Sequence, residues 1–229
     1  MLTLVSAFAG TLRRLRGLAF TGRRVLVVGS SPTVGDDLAA ITRTPSDLIL
    51  AVNGGIASAP DVDVYITNGR RYTDGPYVET WSDARRWCHA QMLAQSAGRH
   101  VGHLVIFMRD QSEHTTARLA AQGTTWDQAT EIGMGDRARI GQWAGITDLD
   151  DAYCLSSGVA AACLALMAGA DSVVTCGISL SPGHNYMALP EEFAGERRHR
   201  TADTVGLRHL LTTAPVSSAQ PLEELYAQS

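Results

Sequence analysis

The chain reads as an α/β protein: a single Rossmann-like domain with a mostly parallel sheet, helices on both faces and a small helical lid or insertion. Three observations predict this. Apolar, β-branched runs recur along the 229 residues. Stretches with helical spacing separate most of them, and no internal repeat or low-complexity linker interrupts the alternation. Such patterning produces parallel strands joined by crossover helices, and near-continuous apolar strands suit a sheet covered on both sides.

The elements follow in order. Residues 1–22 place Leu4, Phe8, Leu12 and Leu15 at helical spacing, and residues 1–24 hold five arginines and no acid. The charge follows the apolar run, unlike a signal peptide, and arginines interrupt any membrane span. The segment therefore reads either as a basic amphipathic helix covering the sheet or as a peripheral contact with an anionic membrane surface. Residues 23–214 form the domain. Strands are expected at 25–28, 48–52, 64–67, 104–107 and 172–176, with helices at 34–42, 77–97, 112–122 and 157–168. Residues 122–149 are polar, with Trp126 and Trp143 as isolated anchors, and are read as a lid or small helical insertion. Residues 179–202 are long and irregular, a second lid-like segment, and 215–229 form a tail.

Composition narrows the chemistry. A hydrophobic content of 45% against 18% charged residues supplies a buried core rather than a disordered chain. The net charge of -4 gives no pull toward nucleic acid. Cys88, Cys154, Cys163 and Cys176 show no CxxC, which fits thiols in a reducing, cytoplasmic compartment. All 19 basic residues are arginine. The missing lysine excludes a Walker-type phosphate loop and Schiff-base chemistry.

In open parallel sheets ligands bind beyond the carboxyl ends of the strands. The residues there are Gly29-Ser30-Ser31-Pro32, Asn53-Gly54-Gly55, Asn68-Gly69-Arg70, Arg109-Asp110 and Gly177-Ile178-Ser179. The Gly29 turn lacks G-x-G-x-x-G and the second strand ends in Asn53 rather than an acid, which disfavours a dinucleotide. The turn's N–H groups with Ser30 and Ser31 could hold an anion at a helix start; a plain turn capped by Ser and Pro is the alternative. Asn53 and Asn68 suit either a nucleotide edge or a turn. The Asp61/Asp63 and Asp148/Asp150 pairs spell D-x-D, but neither is placed to hold a metal on the ligand rim. Of the seven histidines, His184 and His199 fall in the long segment after the last clear strand. His199 precedes a helical run capped by Thr201 or Asp203, where a neutral imidazole could take a proton from a hydroxyl. The ligand spacing for a zinc site from His184, His199 and Cys176 is missing.

Taken in order, "VVGSSPT", "ILAVNGG", "VYITNGR", "LSSGVAAACLALMAGA", "VVTCGISL" and "HRTADTVGLRHL" resemble the bacterial sialyltransferases of glycosyltransferase family 42. More loosely they resemble motility accessory factor and 6-hydroxymethylpterin pyrophosphokinase-like proteins. The resemblance spans roughly Arg24 to Leu211. It implies metal-independent, inverting transfer from a nucleotide-sugar donor, CMP-linked, to a glycan hydroxyl, in service of polysaccharide biosynthesis, with no cofactor beyond the donor. By position, Gly29, Ser30, Ser31, Asn53 and Asn68 would line the nucleotide. Ser157 and Gly158 would meet its cytidine or phosphate side, Tyr186 would hydrogen-bond the leaving phosphate, and His199 would be the general base. The chain departs from the family pattern at Ser181, where a second tyrosine is expected, and at Cys154, where an arginine is expected. Its last residues are shorter than the family's final strand and membrane-associated tail. The rival readings are Mg²⁺-dependent pyrophosphate transfer to a pterin-type alcohol, with Asp110 the one carboxylate well placed for the ion, and a non-catalytic nucleotide-binding module.

Overall fold

Strand β1 (Arg24–Val28) is buried from Val25 to Val28, and its alternation divides the interior in two. In the computed structural model, described for residues 18, 20–68, 83–107, 112–148, 155–180, 183–185, 187–188 and 199–219, β1 lies between β2 (Leu48–Val52) and β6 (Ser172–Cys176). Val25 and Val27 join Leu48, Leu50 and Val52 in one buried cluster, while Leu26 and Val28 join Ile49 and Ala51 in the other. A strand's side chains point to alternate faces. A strand apolar at every position therefore has to be covered twice.

The remaining elements are α1 (Val34–Ala39), a 3-10 turn (Asn53–Ala57), β3 (Val64–Asn68), α2 (Asp83–Ala94), β4 (His100–Phe107), α3 (Ser112–Ala121), β5 (Thr125–Ile132), α4 (Met134–Trp143), α5 (Ser157–Met167), α6 (Arg200–Thr213) and β7 (Val216–Ser218). The sheet order is β5-β4-β3-β2-β1-β6-β7, parallel throughout. Val34, Ile56, Met92 and Leu119 cover one face. Residues of α4, α5 and α6 (Ile140, Leu164 and Leu207 among them) cover the other. Helix α5, SGVAAACLALM, is apolar nearly all round and is buried from Val159 to Ala165, as such helices are.

The five expected strands are all present. The stretch 122–149, read as a lid or insertion, instead contributes β5 and α4 to the sheet and its covering layer. Strand β5 reads TWDQATEI; as an edge strand it buries only Ile132 fully, so no apolar run announces it. Strand β7 extends the sheet past residue 214 into the expected tail. Trp126 and Trp143 do act as anchors, one on each face.

Of the basic start, Leu18 and Phe20 are buried in the core. Arg23 donates to the carbonyls of Ser46 and Asp47, and Arg24 grips the Asp47 carboxylate through Nε at 2.9 Å and a terminal nitrogen at 2.5 Å. The end of this segment thus packs on the sheet; residues 1–17 and 19 lie outside the described residues. Among the described residues no helix is long and apolar enough to cross a membrane.

Two outcomes follow. The hydrogen bond from Arg24, with those from Thr44, holds the Asp47 carboxyl down at about 2. Its pairing therefore stabilises the fold above the unfolded carboxylate value of roughly 4 and is lost as pH falls through about 2. Asp47→Asn should flatten that acid limb in denaturation measured against pH. Separately, Gly29→Ala should cost about 2 kcal/mol or more in urea unfolding, because the added Cβ would lie 2.3 Å from the Gly177 carbonyl oxygen.

Candidate active site

From β1 the chain first winds outward through β2, β3, β4 and β5, then returns to β6 on the other side of β1. This makes the β1/β6 boundary the switch point at which open α/β sheets leave a ligand crevice. Its floor is a backbone contact. The Gly29 N–H donates to the Cys176 carbonyl at 2.8 Å and the Ser31 N–H to the Gly177 carbonyl at 2.9 Å. Gly177 has a φ of +62°, and a Cβ there would sit 2.6 Å from Cβ of Val34. Gly29 is therefore a glycine because two strand ends and α1 meet there.

This geometry changes the expected role of the turn. The N–H groups of Gly29 and Ser31 already serve strand carbonyls. A buried carboxylate of the chain's own occupies the helix start as well: Asp37 accepts the Gly177 N–H at 2.6 Å. Ser31 Oγ bonds Thr33 Oγ1 at 2.9 Å, and Thr33 Oγ1 reaches toward Asp37 at 3.5 Å. Helix α1 has only six residues, begins after Pro32 and has no side-chain cap. The anion cradle expected at this turn is not what these atoms form. Burial, with the Asp37 charge beside it, pushes the Cys176 thiol up to about 12. It stays protonated at neutral pH and is a poor metal ligand. Among the described residues no three His, Cys, Asp or Glu side chains gather to hold an ion. The Asp61/Asp63 pair sits at the amino edge of β3, where Asp63 accepts the Ile49 N–H at 2.7 Å; Asp150 lies outside the described residues.

Ser30 is the half-exposed hydroxyl of the turn, and the loop after β6 comes back to it. Ser30 Oγ and His184 Nδ1 share a hydrogen bond at 2.9 Å, its direction set by the imidazole tautomer. The Asn185 N–H donates to the Ser30 carbonyl at 2.9 Å. The Asn185 amide donates to Ser58 Oγ at 2.7 Å, and an antiparallel bridge joins His184 and Met187. Residues 183–185 thus rest on the loops after β1 and β2. Tyr186 lies outside the described residues, as do Ser181, Cys154 and Asp110.

Asn53 and Asn68 close their strands on the same rim. Asn53 adopts the left-handed φ of +51° that opens the 3-10 turn, so the turn reading is correct for it. It is also half-buried, its Oδ1 enclosed with no hydrogen-bond partner among the described residues. Asn68 is half-buried, level with Phe107 of β4.

On the other side of β1, α5 starts at Ser157, as expected. Its N-cap is Ser156, whose hydroxyl accepts the Val159 N–H at 3.4 Å. Ser157 is buried, and Gly158 sits against Ile178, the residue that also abuts Gly29. His199 is the N-cap of α6, without a side-chain cap bond. Neither Thr201 nor Asp203 caps that helix. Asp203 is fully buried and turns away to accept the Ser156 N–H at 2.7 Å. Gly29 and Gly158 therefore meet on Ile178, and Asp203 ties the first turn of α6, whose N-cap is His199, to the lead-in of α5.

Four residues around this crevice were not picked out as site residues by the sequence reading: Asp37, Arg137, His184 and Asp203. Three had a legible signal, a charge on the inward stripe of an amphipathic helix. Arg137 stands among Met134, Ala138 and Ile140, Asp203 among Gly206, Leu207 and Leu210, and Asp37 among Val34 and Leu38. His184 had no such signal, because its partner is 154 residues away.

A parallel sheet wound in two directions from β1, with hydroxyl, amide and imidazole groups on its carboxyl rim, defines a Rossmann-like protein with a ligand crevice at the switch point. No family model matches the chain, and no curated protein matches it in sequence. Solved structures match it in fold. CstII, a sialyltransferase of Campylobacter jejuni solved with cytidine-5'-monophosphate, is 11% identical with a TM-score of 0.51, covering 88% of this chain and 81% of its own. The monofunctional α-2,3-sialyltransferase Cst-I of the same organism is 10% identical with a TM-score of 0.50, covering 87% and 76%. CST-II solved with a trisaccharide acceptor and CMP is 11% identical with a TM-score of 0.50, covering 86% and 81%. The likeness is one of fold, and it is the fold that the sequence resemblance implies.

Ser30→Ala should leave global stability within about 1 kcal/mol while raising the hydrogen-exchange rate of the Asn185 amide. An unchanged rate would show that His184 does not hold this loop.

Proposed function

We propose that this protein is a glycosyltransferase of the sialyltransferase type. It would transfer a sugar from a CMP-linked donor to a glycan hydroxyl, with inversion and without a metal. The observation that carries the reading is the arrangement of the rim. The positions that the resemblance assigns to the nucleotide stand together on one edge of a sheet whose fold is shared with enzymes solved with CMP and an acceptor trisaccharide.

In this reading the nucleotide lies across the switch point, against Gly29, Ser30, Ser31, Asn53 and Asn68 on one side and Ser157 and Gly158 on the other. Asn53 contributes an enclosed amide oxygen able to accept from an amino group or a ribose hydroxyl. His199 takes the proton of the acceptor hydroxyl as that oxygen attacks the anomeric carbon, and the bond to the donor phosphate breaks. Tyr186, which follows Asn185 in the sequence, donates a hydrogen bond to the departing phosphate in this reading. Preorganised neutral donors can stabilise developing charge there, which suits a chain that has no lysine. The enzyme would act in the cytoplasm in polysaccharide assembly.

Thermal stabilisation by CMP that is indifferent to chelator, with none from ATP, supports this reading. Stabilisation by ATP that requires Mg²⁺ would favour pyrophosphate transfer instead. With a CMP-sugar donor, His199→Ala should lower turnover about a hundredfold or more while CMP still binds; equal rates would remove His199 as base.

A further inference from the structure

We propose that Asp203 and Arg137 are positioning residues: together they hold the start of α5 and the start of α6 in one fixed relation, and so set the place of His199 relative to that of Ser157 and Gly158. The proposal rests on the reading of His199 as the base.

The two side chains grip one peptide unit. Arg137, buried on α4, donates to the Leu155 carbonyl at 2.6 Å. Asp203, fully buried on α6, accepts the N–H of Ser156 at 2.7 Å. These are the oxygen and the hydrogen of the single Leu155–Ser156 peptide, which a trans bond directs to opposite sides. The cation therefore meets the negative end of that peptide's dipole and the anion its positive end. Each is a charge-assisted hydrogen bond, shorter and more directional than a neutral one. The guanidinium is further fixed over the Phe107 ring, 4.7 Å from its centroid.

A second observation converges on the same place. Gly206 lies one turn beyond Asp203, and a Cβ on it would come within 3.0 Å of Leu155 Cδ2 and 3.2 Å of Val159 Cγ1. Helix α6 is thus pressed onto Leu155, which supplies the gripped carbonyl, and onto Val159, whose N–H the Ser156 hydroxyl caps. On its other side Asp203 is one helical turn from His199, whose carbonyl accepts the Asp203 N–H at 2.8 Å. A shift of the Asp203 carboxylate moves the first turn of α6, and His199 moves with it.

Packing alone does not account for the charges. Apolar side chains of similar volume in place of buried ions are often neutral or stabilising. Oriented charges on a single peptide plane add direction, which an apolar contact lacks. A proton-transfer group misplaced by an ångström can lose about a hundredfold in rate.

The test compares wild type with Asp203→Asn, Asp203→Glu, Arg137→Met and Arg137→Lys on a CMP-sugar donor. Asp203→Asn removes the charge but keeps an oxygen for the Ser156 N–H. Asp203→Asn and Arg137→Met should lower kcat about tenfold or more with donor KM within about twofold, with Asp203→Glu or Arg137→Lys recovering part of the loss. An unchanged kcat in folded Asp203→Asn, or losses that follow only the fall in Tm, would overturn the proposal. If wild type turns over no CMP-sugar, the glycosyltransferase reading fails by itself. The proposal is then decided by the His199 Cε1–H NMR signal: displacement or broadening in Asp203→Asn supports it, and superposition on wild type overturns it.

Discussion

The architecture depends on how closely β1 and β6 end together. The Gly29 and Ser31 N–H groups reach the Cys176 and Gly177 carbonyls, an approach open only to residues without a Cβ at positions 29 and 177. That contact fixes the two strands of the switch point at their carboxyl ends, and everything on the rim is measured from it. The β1 turn carries Ser30, the β6 turn carries Ile178, and Ile178 sets Gly158 and hence the start of α5. The crevice is as well defined as it is because its floor is backbone on backbone, with no long side chain free to adopt another rotamer.

A second constraint is electrostatic. The chain uses its own buried carboxylates where ligand phosphates are held in many α/β proteins. Asp37 takes the Gly177 N–H beside α1, and Asp203 takes the Ser156 N–H at the lead-in of α5. Both complement the positive ends of helices. Among the described residues this rim carries the Ser30 hydroxyl, the Asn53 and Asn68 side-chain amides, and His184 and His199.

The loop after β6 belongs to the site because three bonds return it there: two on Ser30 and one on Ser58. Helix α6, whose N-cap is His199, is tied to the lead-in of α5 by the Asp203 carboxylate one turn along.

The sequence alone determined the strands that are buried on both sides, the parallel order of elements and the start of α5, because burial on two faces leaves an unbroken apolar run and a helix start leaves Ser-Ser-Gly. It also marked the rim, since residues following strands in a parallel sheet share one edge. It missed β5 and β7, whose edge positions relieve them of the apolar pattern by which buried strands are recognised. Only the tertiary structure decided that the Gly29 turn serves a strand contact in place of an anion, that Asp203 leaves its own helix to bind the start of another, and that His184 meets Ser30. Each of these is a pairing between residues far apart in the chain. Local periodicity reports which way a side chain faces, and only folding decides what it finds there.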